Sequence, residues 1–361
     1  MKTEHLLVIR FSAMGDVAMM VPVIASLARQ YPNMRITVLS RPFARTLFNN
    51  IAPNVSFMGA EVRKEYKGVH GLNALYRRLQ AKHFTAVADL HDVLRTKYLR
   101  MRFNVDGKRV EHINKHRKEK RQLCAEKNKV LQQLPTSFDN YADVFSRLGY
   151  PVTLNFTSIF HEGRGDLSSL PITIPEKKGD ERWIGIAPFA AHHGKIYPID
   201  KMDFIIRTLA TQHPDWRIFL FGGGNQEEDT TLKTWDAELS PCSFISRQLK
   251  GLDQELIVMS HLDLMLSMDS ANMHLASLVG IPVISIWGAT HPYAGFMGFG
   301  QNPDNAIQTD LPCRPCSIYG KKPCIRQDYA CLHDIKPETI LEKIQFIIYN
   351  SSTSEATSSI T

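Results

Sequence analysis

Residues 6–24, LLVIRFSAMGDVAMMVPVI, decide the fold class. Leu6 to Ile9 are four consecutive apolar residues, the pattern of a strand buried on both faces, and Arg10 closes the run. The small residues Ser12, Ala13 and Gly15 make a turn. Apolar residues then return at helical spacing from Val17 to Gln30. Strand, turn and helix open a β-α-β unit. The alternation recurs, with strands expected at 35–39 and 85–90. A polar stretch at 171–182, PITIPEKKGDER, reads as a linker. A second series follows, with strands at 183–187, 217–221, 264–268 and 282–287 and helices at 202–212 and 340–349. The chain is therefore α/β, with two parallel sheets.

Outward from that stretch, the 361-residue length fits two domains at roughly 100–200 residues each. The expected division is a first domain over 1–170, the linker over 171–182, a second domain over 183–335, a C-terminal helix over 336–350, and a disordered low-complexity tail over 351–361. Hydrophobic residues make up 43% and charged residues 22%, which excludes a disordered or fibrous chain. No apolar run reaches the roughly 18 residues of a membrane span. The N-terminal apolar run is too short for a signal peptide, so a cytoplasmic protein with reduced cysteines is expected.

The formal net charge is +7. It is not spread evenly, because residues 95–121 alone carry +8 and the remaining chain is slightly acidic. The basic segment falls in the first half. It suits an anionic ligand or an anionic lipid surface, or it is a plain solvated face. No helix-turn-helix, RRM or zinc-finger spacing accompanies it, so nucleic acid is not expected as a partner.

Four places carry candidate chemistry. Asp16 opens the first helix. It is either a simple N-cap or, at the carboxyl edge of the first strand, a base for an acceptor hydroxyl. Lys195, in PFAAHHGKIYP, is a solvated loop residue or a point charge for a diphosphate. Glu227 or Glu228, after Gly222-Gly223-Gly224, can hydrogen-bond a ribose diol. In MDSANMHLASLVGIPVISIWGATHP, Asp269 and Ser270 cap a helix whose N–H groups suit a pyrophosphate; His274 is a packing residue or a further donor contact. A G-x-G-x-x-G fingerprint is absent after the first strand, which argues against a dinucleotide oxidoreductase.

Taken together and in this order, LLVIRFSAMGDVAMMVPVI, AVADLHDVLRT, the Lys195–Pro198 segment, FGGG with its two glutamates, and the MDSANMHLASLVG block resemble glycosyltransferase family 9, the ADP-heptose:lipopolysaccharide heptosyltransferases. The resemblance covers nearly the whole chain to about Tyr349. It implies a GT-B-like architecture: two Rossmann-like, doubly wound domains facing a central cleft, with acceptor mainly in the first, donor mainly in the second, and the last helix crossing back. It implies Asp16 as catalytic base. It implies Lys195, Glu227 (or Glu228), Asp269, Ser270, Ala271 and His274 at the donor, with 249–251 lining the adenine. Ala271 replaces the family's glycine, Ala190 and Ala191 stand where some members have hydroxyls, and Tyr197 replaces a tryptophan. The implied reaction is an inverting, metal-independent transfer of heptose from ADP-heptose to a lipid A–Kdo type acceptor, with no cofactor. The alternatives are another nucleotide-activated sugar moved to a different surface glycan, or a non-catalytic nucleotide-sugar-binding protein. Arg95, Lys115, Arg117 and Lys118 are the expected contacts to the anionic glycolipid, with peripheral attachment to the inner membrane.

Cys313, Cys316, Cys324 and Cys331 form a C-terminal cluster with one C-x2-C pair. Reduced thiols packing a loop, a structural zinc, and disulfides are the three readings it allows.

Overall fold

The computed structural model describes residues 4–358, the backbone alone from 351 on. The chain divides into two compact units. One runs to His116 and resumes over Pro135–Ile159; the other takes Arg117–Leu134 and the chain from Phe160 on.

In the first part of the sequence the order is β1 (His5–Ile9), α1 (Met14–Ala18), α2 (Met20–Gln30), β2 (Arg35–Ser40), β3 (Val55–Gly59), α3 (Gly68–Gln80), β4 (Ala86–Asp89), α4 (Leu94–Val105), β5 (Arg109–His112), α5 (Arg117–Leu123) and α6 (Ser137–Arg147). The five strands form one sheet in the order β3-β2-β1-β4-β5, and every pairing is parallel. Ile9 lies level with Leu39 and Asp89, so the segments leaving β1 and β4 emerge side by side. Leu7, Ile9, Val87, Leu99 and Phe103 pack together on this sheet. α6 starts at a built N-cap: Thr136 Oγ1 accepts from the Asp139 N–H, and Asp139 accepts from the Thr136 N–H in return.

The second unit continues with β6 (Trp183–Ala187), α7 (Ile199–Gln212), β7 (Arg217–Leu220), α8 (Gln226–Glu238), β8 (Cys242–Phe244), α9 (Ile245–Gln248), α10 (Leu252–Met259), β9 (Leu264–Met268), α11 (Ala271–Leu278), β10 (Val283–Trp287), β11 (Ala306–Gln308), α12 (Ala330–His333) and α13 (Pro337–Ser358). Its six strands run in the order β11-β10-β9-β6-β7-β8, again all parallel. Read from β8, this is the doubly wound dinucleotide-fold order, which reverses direction between the first and fourth strands, β6 and β9. In the first sheet the same reversal lies between β1 and β4.

The structure corrects several expectations. β3, β5, β8 and β11 were not expected as strands, and each is the outermost strand of its sheet. Residues 117–134 belong to the second unit, not the first. Leu123 and Leu134 pack with Ala294 there, and the Leu134 N–H donates to the Tyr293 carbonyl. The expected linker is pinned to the second unit: Lys177 pairs with Asp263 at 2.8 Å, and Glu181 pairs with Arg217 at 2.5 Å. The C-terminal helix belongs to the second unit, where Ile340, Ile344 and Ile348 of α13 join the core over β6 and β9. The tail expected to be disordered continues α13 as far as Ser358; residues 359–361 lie outside the described residues.

Candidate active site

Each sheet carries a carboxylate–cation pair at its switch point. In the first unit, Asp16 is the third residue of α1 rather than its N-cap, which is Ala13. Its Oδ2 accepts from the Ala13 N–H at 3.0 Å and lies 2.7 Å from Arg10 Nη2. The Arg10 side chain is 10% exposed and that of Asp16 is 24% exposed, so the carboxylate is the solvent-facing partner. Arg10 also donates through Nη1 to the Leu90 carbonyl, which ties the β1 loop to the β4 loop. Tyr141 Oη on α6 donates to the Asp16 carbonyl, and Arg10 lies over its ring at 5.7 Å.

His91 completes this corner. The Phe11 N–H donates to its Nδ1, which leaves the imidazole proton on Nε2, facing Ser12 Oγ at 3.4 Å. Burial pushes its pKa down to about 3, and the cations Arg10 and Lys115 act in the same direction. His91 is therefore a neutral strut at physiological pH. Beneath it, buried Asp89 accepts from the His91 and Asp92 N–H groups at 2.9 Å and from Arg100 Nη1 at 3.3 Å. Arg10, Asp89 and His91 were not singled out from the sequence. The signal was the placement of RF directly after β1 and of DLHD across the end of β4, at two adjacent strand ends.

In the second unit, Lys195 follows β6 and Asp269 follows β9. Lys195 Nζ lies 2.9 Å from Asp269 Oδ2, with side chains 16% and 4% exposed. Here the cation is the more exposed member. α11 begins at Ala271 with Ser270 at its N-cap position. The Ser270 hydroxyl does not cap the helix, contrary to expectation; it meets Ser267 Oγ at 3.2 Å. No side chain therefore caps the first N–H groups of α11 from that position, while His274 is buried on the same helix.

The glycine triplet after β7 turns with φ of 142° at Gly222 and 91° at Gly223, a region that favours glycine. Glu228 is consumed locally: it accepts from the Gly224 N–H at 2.9 Å and from Asn225 Nδ2 at 2.8 Å. Glu227 is exposed, and its carboxylate has no hydrogen-bond or ion-pair partner among the described residues. Of the two glutamates, Glu227 is thus the one with an open carboxylate.

The loops around Lys195 are clamped from the C-terminal side. The Ala289 N–H donates to the Gly194 carbonyl at 2.8 Å, and a Cβ on Gly288 would sit 2.6 Å from that carbonyl oxygen. Arg314 is 5% exposed. Its guanidinium donates to the carbonyls of Gly288 (2.6 Å), Trp287 (3.1 Å), Thr290 (3.0 Å) and Thr309, and to Gln308 Oε1 (3.1 Å). Gly320 packs so closely on the Lys195 stem that a Cβ there would lie 2.5 Å from Cγ. Arg314 and Gly320 escaped the sequence reading because their contacts join loops that only the fold brings together.

A family model, glycosyltransferase family 9 (heptosyltransferase), matches residues 72–328. The chain belongs to glycosyltransferase family 9. It is 22% identical to Lipooligosaccharide heptosyltransferase 2 of Campylobacter jejuni, over 92% of this chain and 95% of that protein. It is 23% identical to the Lipopolysaccharide core heptosyltransferase OpsX of Haemophilus influenzae, over 80% of each. Among solved structures, E. coli heptosyltransferase WaaC with ADP superposes with a TM-score of 0.66 at 16% identity, covering 95% of this chain and 99% of that one. E. coli ADP-heptose lps heptosyltransferase II gives 0.65 at 17%, covering 96% and 99%. The fold class is therefore that of the GT-B heptosyltransferases.

In this glycosyltransferase the expected acceptor cations fall on either side of the unit boundary. Arg95 and Lys115 lie in the first unit, Arg117 and Lys118 in the second. Lys115 Nζ donates to the Asp92 carbonyl at 2.9 Å. Arg100 is spent on Asp89 and Asp92, and Arg102 on Asn73 Oδ1 and the Tyr76 ring. Tyr197, at the family's tryptophan position, is fully buried and donates to the Ile335 carbonyl at 2.9 Å. All six cysteines are free thiols. Cys313, Cys316, Cys324 and Cys331 line one pocket with Arg314 and Tyr329. Burial raises Cys331 to about 11 and Cys124 to about 11, so these thiols stay protonated at neutral pH. Among the described residues no group of three or more His, Cys, Asp or Glu is placed to hold a metal.

Proposed function

We propose that this family 9 enzyme transfers heptose from ADP-heptose to a lipopolysaccharide inner-core acceptor with inversion. The observation that carries the donor half is the Lys195–Asp269 pair at the β6/β9 switch point, beside an α11 N-terminus that Ser270 does not cap. Buried Asp269 holds Lys195 in place, and an arriving diphosphate takes over the ammonium as counter-ion. The N–H groups of α11 and Lys195 then stabilise the charge that grows on the leaving nucleoside diphosphate. Glu227 meets the ribose, residues 249–251 line the adenine, and His274 and Ala271 form the floor of the site. Neither WaaC with ADP nor the family relationship alone assigns these roles here; the placement of the residues supports them.

Asp16 is the base. Arg10 and the Ala13 N–H orient its carboxylate, and its greater exposure leaves an oxygen edge for an acceptor hydroxyl. It takes the proton as that oxygen attacks the anomeric carbon. Arg95 and Lys115 favour an anionic acceptor, a glycolipid at the cytoplasmic membrane face. No helix among the described residues is long and apolar enough to cross a membrane, so contact with the lipid is peripheral on this reading. The test is turnover of ADP-heptose against a panel of other nucleotide sugars on a lipid A–Kdo acceptor. Preferential turnover of ADP-heptose supports the proposal, and preference for a different nucleotide sugar overturns its donor assignment.

A further inference from the structure

α4 is apolar on two opposite faces. Thr96, Leu99 and Phe103 point into the first unit and are buried. Leu94, Tyr98, Met101 and Val105 follow the i, i+4, i+7, i+11 spacing that makes a single stripe along a helix. Three of these four face solvent: Leu94 is 86% exposed, Met101 53% and Val105 81%. A surface helix normally presents charged or polar residues outward, and an exposed apolar stripe marks a contact surface.

The charges beside the stripe are of one sign. No aspartate or glutamate occurs within α4. Arg95 flanks the stripe on one side and Lys97 on the other, both exposed, with Lys97 Nζ also 3.6 Å from Asp92 Oδ1 at the inner end of the helix. The acid that follows the helix, Asp106, is occupied by the Tyr76 hydroxyl and Gln80. A narrow apolar ridge with an exposed cation on either side is the pattern of a helix lying in the headgroup layer of an anionic bilayer. A second copy of the chain packed symmetrically on this face would set its cations against their own counterparts.

We propose that the outward face of α4 docks this protein on an anionic lipid bilayer, with Leu94, Met101 and Val105 entering the headgroup layer and Arg95 and Lys97 meeting lipid phosphates. This rests on the peripheral-membrane part of the function proposed above and names its surface. A second basic run lies at 115–121. That run is divided between the two units, and Lys120 lies over the Phe296 ring at 4.7 Å.

The test is co-sedimentation of the full chain with phosphatidylglycerol/phosphatidylethanolamine vesicles and with pure phosphatidylcholine vesicles. A triple variant, Leu94→Ser with Met101→Ser and Val105→Ser, is compared with Arg95→Gln/Lys97→Gln; unchanged thermal melting shows that each still folds. Wild type should bind the anionic vesicles and bind phosphatidylcholine weakly. The apolar triple should bind anionic vesicles about tenfold more weakly or less. The charge variant should lose most of the difference between the two lipids. Anionic binding by the triple variant equal to wild type overturns this surface while leaving peripheral attachment in place. Absence of wild-type binding to either vesicle overturns both. A wild-type dimer in light scattering that the triple variant converts to monomer assigns the face to self-association and overturns the lipid assignment.

Discussion

The two switch points are built alike and charged oppositely. After β1, an arginine is the buried partner and Asp16 faces outward; after β6 and β9, Asp269 is the buried partner and Lys195 faces outward. Each pair places its less exposed member underneath, where low dielectric strengthens the attraction that fixes the other. Arginine also clamps loops in both places. Arg10 joins the β1 and β4 loops through the Leu90 carbonyl, and Arg314 gathers the β10 and β11 loops. The same topology thus presents a carboxylate in one unit and an ammonium in the other. One suits accepting a proton and the other receiving a phosphate.

Asp16→Asn is the severest test of that contrast. It keeps the shape and removes the charge, so kcat should fall by about 10²–10⁴-fold. ADP affinity, measured by calorimetry, should stay within a few-fold, because Asp16 belongs to the first unit and Lys195 to the second. Near wild-type turnover would remove Asp16 from the mechanism.

Arg314→Met comes next. It leaves several buried carbonyls without their donor, and chemical denaturation should show a loss of about 3 kcal/mol. A loss below about 0.5 kcal/mol would mean that the clamp is not what holds the second region.

Lys195→Ala should weaken ADP binding by roughly 10–100-fold, the range for a charge-assisted hydrogen bond. Asp269→Asn should produce a smaller loss, since it frees the lysine without deleting it. If Asp269→Asn is the more damaging of the two, the buried acid contacts the ligand itself and the proposed inversion of roles fails.

The most gradual effect is the one read from His91. Its folded pKa of about 3 lies below the ordinary histidine value, so the unfolded chain binds the proton first as pH falls. Its contribution to stability is intact above about pH 6.5 and is lost between there and about pH 3, at most about 1.4 kcal/mol per pH unit. Denaturation at several pH values should show a shallower acid slope for His91→Gln than for wild type. Equal slopes would place the imidazole in water rather than under the β1 turn.

Strands show what could be read without a structure. β1, β2, β4, β6, β7, β9 and β10 are the interior strands, and all were legible as short apolar runs. Leu264–Met268 is buried at every position because helices and neighbouring strands cover both faces. β3, β5, β8 and β11 are edges with mixed exposure, such as RVEH at Arg109–His112. Each has too few apolar positions to stand out as a strand, so only pairing to a neighbour defines them. The candidate site divides in the same way. Asp16, Lys195 and Asp269 stand in small-residue turns next to legible strands, whereas Arg314 acts on carbonyls brought to it by the chain's return.

The amino-acid sequence alone determined the interior strands, the turns that end them and the reactive groups in those turns, because burial periodicity and turn chemistry are local. Tertiary structure decided which partner each charge takes and which charges remain outward. Lys195 meets an aspartate 74 residues away. The basic run at 95–121 is divided between two units, with Arg100 consumed by Asp89 and Asp92 while Arg95 and Lys97 remain exposed. Ion pairing acts through space over a few ångströms, and only the folded path of the chain sets those distances.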